Sequence, residues 1–395
     1  MSGSAAATGA IVAGAVFAWG LVGGRLQRAE LTAPLVFVVL GGLLGSAVGV
    51  FDIEVHEFRL LIELTLAWLL FSDASAIRLA QLRREAGWYA RLLGVGLPLT
   101  VVGGWLVAEW LLPGAGGWLA VLVGAALAPT DAALGLPVLT DPAVPRRIRG
   151  ALNVESGLND GIVTPVVMVA IAGVAGTGGG GVGAALADLV LGGAVGAGAG
   201  AVGGLLIRRA RRLDWVPEGF AGPAVLALVV AAFAGAVAAG GNGFIAAFAA
   251  GLAFGGTAGS EQVRDVRFVE QTGGLAAVLV WLLAGAVAFP IVAAGLGWQV
   301  VVYAVLSLTV LRMVPVALAL LGTRLDRVTV LFVGWFGPRG LPSIIFALLA
   351  VDALGDVADP AVVAIALTVL SSVVAHGLSA RPLASRYGAA VTRAP

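Results

Sequence analysis

From end to end the chain is a series of apolar stretches, each about 20 residues of mostly Ala, Val, Leu and Gly, separated by short polar connections. Lipid offers a backbone no hydrogen-bond partner, so a segment of this kind can cross a bilayer only as a helix or as part of a closed barrel. A barrel needs segments of roughly ten residues with alternating polarity, and these runs do not alternate. At 1.5 Å per residue a helix of about 20 residues spans the hydrocarbon layer, so the 395 residues hold about a dozen passages. With 60% hydrophobic and 11% charged residues, a soluble enzyme is excluded. No separate soluble domain fits anywhere, and residues 1–395 read as one integral membrane domain of an all-α polytopic protein.

Hydropathy places about thirteen spans, at roughly 5–24, 32–50, 58–77, 88–112, 117–139, 150–174, 183–207, 221–239, 241–257, 267–289, 296–321, 328–353 and 359–379. Arginines give an independent check, since every one of the 23 basic residues is Arg. They follow odd-numbered spans: Arg25 and Arg28; Arg78, Arg83 and Arg84; Arg146, Arg147 and Arg149; Arg208, Arg209, Arg211 and Arg212; Arg264 and Arg267; Arg324 and Arg327; Arg381, Arg386 and Arg393. After even-numbered spans Arg59 stands alone, among Asp52, Glu54, Glu57, Asp352, Asp356 and Asp359. By the positive-inside rule the N-terminus is then outside and the C-terminus cytoplasmic. The first span lacks a basic segment before it and so reads as a span, not a cleaved signal.

Two spans are interrupted. Span 5 contains Pro129-Thr130-Asp131, Gly135 and Pro137; span 12 contains Gly334, Gly337-Pro338-Arg339-Gly340 and Pro342. They lie seven spans apart, an odd number, so they cross in opposite directions. Paired broken helices in inverted repeats point to a binding site at the membrane midplane. Against this stands the plain tolerance of membrane helices for Pro and Gly.

Composition narrows the chemistry. Cysteine is absent, which excludes disulfides and thiolate metal sites, and two histidines, His56 and His376, are too few for a zinc site. No cofactor is implied. The net charge of +1 shows no concentrated basic face of the kind nucleic acid requires. Ionisable groups at membrane depth are functional candidates by default. They are densest in span 6, where Ser156 and Asp160 share one helix face with Thr164, and Glu155 and Asn159 share the next. Hard monovalent cations take oxygen ligands, and the interrupted span 5 would add freed carbonyls, the Thr130 hydroxyl and the Asp131 carboxylate. A buried carboxylate can bind either a proton or a metal cation. If the site faces one side at a time, competition at Asp160 alone produces exchange.

Arg339 is too deep to reach water by stretching and needs an anion. Glu155 is its expected partner, with Asp131 capping the broken helix and Asp160 left as the group that changes charge. Asp73 fits a gate or accessory ligand as well as it fits a solvated helix-end carboxylate beside Arg78. Arg312 and Glu270 read as structural charges; Glu63 and Glu109 have no partner that the sequence names. His376, near the end of span 13, fits a helix-end hydrogen bond better than a pH sensor.

Ala128-Pro129-Thr130-Asp131, Glu155-Ser156-Gly157-Leu158-Asn159-Asp160-Gly161, Gly334-Trp335-Phe336-Gly337-Pro338-Arg339-Gly340-Leu341 and His376-Gly377-Leu378-Ser379, in this order, resemble the monovalent cation:proton antiporter-1 family of bacterial and archaeal sodium/proton exchangers. The resemblance covers all thirteen spans. It implies a homodimer in the plasma membrane, in which a core of spans 4–6 and 11–13 (about 88–174 and 296–379) moves against an interface domain of the remaining spans (about 5–77 and 183–289). It implies sodium at Asp160, Ser156 and Thr130, with Asn159 and Asp131 in the site and Glu155 and Arg339 as a supporting pair. Electrogenic relatives carry two aspartates where this chain has Asn159-Asp160, and the Asn-Asp form goes with electroneutral exchange. The sequence departs from the family at Asp73, where some members have Glu, and at Ala132-Ala133, where many have Pro-Val. Only about 15 residues follow the last span, where animal exchangers carry a long regulatory tail.

Sodium/proton exchange, with lithium or potassium as further cations, is thus the leading expectation. A passive channel would not need a titrating carboxylate. An intramembrane aspartyl hydrolase needs a Gly before one of two catalytic aspartates, and here Asn159 stands before Asp160.

Overall fold

The computed structural model describes residues 3–28, 31–48, 54–77, 86–112, 114–176, 181–217, 219–259 and 262–393. Asp52, Arg78, Arg83 and Arg84 lie outside them. Among the described residues there is no strand. Grouped at their interruptions, the helices follow the thirteen expected spans: α1 (Gly3–Arg28), α2 (Ala33–Val48), α3 (Arg59–Ala76), α4 and α5 (Ala86–Arg91, Leu97–Leu111), α6 and α7 (Trp118–Ala126, Leu136–Leu139), α8 (Arg146–Val174), α9 (Gly181–Arg212), α10 (Ala221–Ala238), α11 (Gly243–Thr257), α12 (Gln262–Gly295), α13 and α14 (Trp298–Leu308, Val310–Ala319), α15 and α16 (Arg327–Trp335, Leu341–Leu354), and α17 (Asp359–Arg393). Among the described residues, eight helical stretches are long and apolar enough to cross a membrane, and Ala33–Gly45 and Gly243–Thr257 are shorter apolar helices.

Each interruption has a local cause. Between α4 and α5, one π turn (Leu92–Gly96) precedes Pro98, whose ring would clash with the carbonyl four residues back and whose missing N–H leaves that carbonyl unbonded; widening the turn accommodates both. Thr309, at φ −113° and ψ −88°, separates α13 from α14. Pro137 and Pro342 sit in the first turns of α7 and α16, where a missing N–H costs nothing. Asp326 caps the start of α15 by accepting from the Thr329 N–H (3.2 Å).

Small residues set the helix spacing. Along α9, Gly192, Gly196, Gly200 and Gly204 recur every fourth position, and a Cβ at any of them would strike Asn242 O, Ala246 O, Ala250 O or the Thr257 hydroxyl at or just before α11. Backbones that close gain dispersion contacts that lipid cannot match. α2 against α12 and α3 against α11 use the same device, at Gly41 and Gly285 and at Gly251 and Gly255. The result is a tight bundle in which α8, α14 and the breaks of the fifth and twelfth spans bring polar groups into an otherwise apolar interior.

Candidate functional site

The two breaks meet. The Asp131 N–H donates to the Pro338 carbonyl (2.7 Å), and Asp131 Oδ2 accepts from the Leu341 N–H at the start of α16 (3.0 Å). Asp131 Oδ1 accepts from the Ala133 N–H within its own loop (2.7 Å). The carboxylate thus caps one broken helix from within the break of the other, where the positive helix end favours an anion. Gly340 has no room for a side chain, since a Cβ there would lie 1.9 Å from Asp131 Oδ2.

Thr130 faces α8. Its Oγ1 accepts from Asn159 Nδ2 (2.8 Å) and shares a hydrogen bond with Ser156 Oγ (2.8 Å), so all three polar side chains read from the sequence converge. Asp160, one residue on, is buried, and its Oδ1 has no hydrogen-bond partner; nor has the neighbouring Asn159 Oδ1. Thr164 instead turns its hydroxyl back to the Asp160 carbonyl (2.7 Å). An ionised carboxylate in such a place costs several kcal/mol unless a counter-charge compensates it. With no protein donor on Oδ1, a proton or a cation can supply that compensation. Asp73 lies where α3 touches α8, its Cβ within reach of a Cβ at Gly157 (3.7 Å). It is partly buried, is within electrostatic reach of Asp160, and makes no hydrogen bond to the Thr130, Ser156 or Asn159 side chains.

The expected pairing of Glu155 with Arg339 is corrected. Glu155 is held by Arg312, with Nη1 2.5 Å from Oε1 and Nη2 2.9 Å from Oε2; the two side chains are 2% and 3% exposed. Planar guanidinium and carboxylate match in this fork geometry, which Arg339 does not reach. Arg339 points instead into the other break, where Nη1 donates to the carbonyls of Ala128 and Pro129 (2.9 Å to Pro129). Those carbonyls, expected to face a cation, are therefore occupied by a guanidinium. Sequence reasoning passed over Arg312 as a bridging group. The available signal was its depth: apart from Arg312 the α14 sequence is apolar, and an arginine there must find an acid or a set of carbonyls.

The remaining charges also find places. Glu109 Oε2 accepts from the Gly117 N–H (2.7 Å), Arg59 pairs with Glu63 (2.8 Å), and Glu270 is exposed. The solitary arginine among the even-numbered connections is thus a paired one.

A membrane protein with two touching helix breaks and a buried unpaired carboxylate next to hydrogen-bonded hydroxyl and amide groups is built as a multi-pass ion transporter. Residues 6–386 match the sodium/hydrogen exchanger family (transmembrane), and the chain belongs to it. The fold is that of the sodium proton antiporter MjNhaP1 from Methanocaldococcus jannaschii, whose structure at pH 8 superposes with a TM-score of 0.76 at 20% identity, covering 98% of this chain and 99% of that one. An electron-microscopy structure of the same antiporter gives a TM-score of 0.71 at 19% identity, covering 98% of each chain. Comparison with curated protein sequences finds no match.

Proposed function

We propose that this chain is an electroneutral sodium/proton antiporter working by alternating access, in which sodium and a proton compete for Asp160. The reading is carried by one observation: a buried carboxylate oxygen of Asp160 without a protein donor, next in the chain to Asn159, whose own amide oxygen is also unpartnered and whose amide nitrogen bonds the Thr130 hydroxyl that Ser156 shares. Sodium binds to Asp160, Ser156 and Thr130, with the Asn159 carbonyl turned inward; a proton on Asp160 weakens that site, so one occupant replaces the other. Asp131 holds the crossing together, and Glu155 with Arg312, rather than with Arg339, neutralises charge beside the site. Asp73 is an accessory carboxylate at the approach to it. Lithium is a second substrate, and potassium is the alternative cation.

Asn159 in place of a second carboxylate supports the electroneutral form, because one acid exchanges one proton for one monovalent cation. The protein works as a homodimer in the plasma membrane, N-terminus outside, with α4–α8 and α13–α17 moving against the other helices. Proteoliposomes with a preset pH gradient test this directly. Sodium, and more weakly lithium, is expected to dissipate the gradient whether or not the membrane potential is clamped, while choline has no effect. Asp160→Asn, recovered folded, is expected to show none of this activity. Sodium-dependent proton flux retained in Asp160→Asn removes Asp160 from the role, and a flux that changes with the clamp removes electroneutrality.

A further inference from the structure

Residues 336–340 part α15 from α16. In an unbroken helix the Arg339 N–H would bond the Trp335 carbonyl four residues back. Here the two groups separate, and both turn to α17. The Arg339 N–H donates to Ser372 Oγ (2.7 Å), and His376 Nε2 lies 2.9 Å from the Trp335 carbonyl. Between them, Ser372 Oγ and His376 Nδ1 are 3.0 Å apart.

One neutral tautomer satisfies both ends of this bridge. A carbonyl only accepts, so His376 Nε2 carries a hydrogen and donates to Trp335. Nδ1 lies 3.0 Å from both the Ser372 hydroxyl and the Ser372 carbonyl; in the neutral ring with its hydrogen on Nε2 it can only accept, so it takes the hydroxyl proton, while the Ser372 oxygen accepts from Arg339. The chain of bonds runs from the Arg339 amide through Ser372 and His376 to the Trp335 carbonyl, closing by two side chains the ring that one helical bond would have closed. The Trp335 carbonyl also accepts from the Gly337 N–H (2.8 Å). Ser379, on the same face of α17, accepts from the Trp335 indole N–H (3.0 Å), and the Trp335 and His376 rings lie 5.1 Å apart. Ser372, His376 and Arg339 are all buried, so water does not compete.

The other end of Arg339 gives this bridge a consequence. Its guanidinium holds the carbonyls of Ala128 and Pro129, the two residues before Thr130. We propose that His376, acting through Ser372, is a positioning residue for cation binding: the pair holds the twelfth-span break open and sets Arg339, which in turn sets the Thr130 hydroxyl against Ser156 and Asn159. This rests on the antiport reading above, and the experiment separates the two.

Sodium-dependent dissipation of a pH gradient is measured in proteoliposomes for wild type, Ser372→Ala, Ser372→Thr, His376→Ala and the double alanine variant. Loss of one buried hydrogen bond in the chain is expected to raise the apparent KM for sodium about five- to tenfold. The double variant is expected to be no worse than the worse single one, because the bonds act in series, and Ser372→Thr, which keeps the hydroxyl, to return close to wild type. An unchanged KM with loss only of maximal rate and of folded protein makes the pair merely structural and overturns the proposal; so do single effects that multiply. If His376→Ala is not recovered folded, Ser372→Ala against Ser372→Thr decides by the same criterion. If wild type itself shows no sodium-dependent flux, the antiport reading has failed, and amide hydrogen exchange at Arg339 judges the bridge alone: faster exchange in Ser372→Ala supports it, an unchanged rate overturns it.

Discussion

Two buried arginines stand near one buried glutamate, and geometry decides which holds it. The backbone break at Thr309 turns α14 so that Arg312 presents both Nη atoms to Glu155, while Arg339 is committed to two carbonyls. Removing one partner of a buried pair leaves the other charge uncompensated, which costs about 3–5 kcal/mol. Arg312→Ala is therefore expected to lower the unfolding temperature of the purified protein steeply. Glu155→Ala combined with Arg312→Ala is expected to cost much less than the two single changes together. The same cycle between Glu155 and Arg339 is expected to show a smaller coupling; an equal or larger one would restore the pairing that sequence depth suggested. That suggestion failed for a physical reason. Depth along the chain says that an arginine needs an anion or a set of carbonyls, but not which, because the choice depends on a kink at a threonine that carries no sequence signature of kinking. By contrast, the grouping of Thr130, Ser156 and Asn159 was legible, since helical periodicity puts Ser156 and Asn159 within a turn of each other and the Pro129 break faces them.

At the scale of elements, the breaks were readable because Gly and Pro punctuate helices in water and in lipid alike. How the breaks interlock was not. Asp131 spans from one to the other through backbone N–H groups, and nothing in its own neighbourhood names Leu341. The interlock gives Gly340 its importance: the residue is needed for the space that Asp131 fills. Gly340→Ala places a methyl 1.9 Å from Asp131 Oδ2 and must push the carboxylate off the start of α16. An overpacking cost of about 1–3 kcal/mol is expected, together with loss of sodium-dependent flux. A folded Gly340→Ala protein with wild-type flux would show that the cap is dispensable. Other helix contacts follow more ordinary rules, of which the four-residue glycine spacing of α9 is the plainest, but its partner α11 is chosen by the fold and not by the spacing.

On the scale of the whole molecule, α3 and α16 are joined at one end by charge. His56 Nδ1, in the turn Val55–Phe58 before α3, lies 3.2 Å from Asp352 Oδ1, and Arg59 Nη1 lies 3.4 Å from Asp352 Oδ2. The Asp352 side chain is only 4% exposed, whereas His56 is 76% exposed, so the acid is covered by the bases that hold it. In the proposed mechanism α16 travels with the moving core and α3 stays with the other helices, so these contacts straddle the boundary and must part as the site changes sides. Both bases are more than half exposed, so water screens and weakens each contact, which suits one made and broken in every cycle. The absence of cysteine from the chain makes this movement directly testable. His56→Cys with Asp352→Cys provides two thiols in an otherwise thiol-free protein, close enough for a short reducible bridge. Sodium-dependent flux in the unbridged double variant is expected to fall to background on bridging and to return on reduction. Flux that persists through the bridge would mean that α3 and α16 move together, and that the boundary between moving and fixed helices lies elsewhere in the bundle.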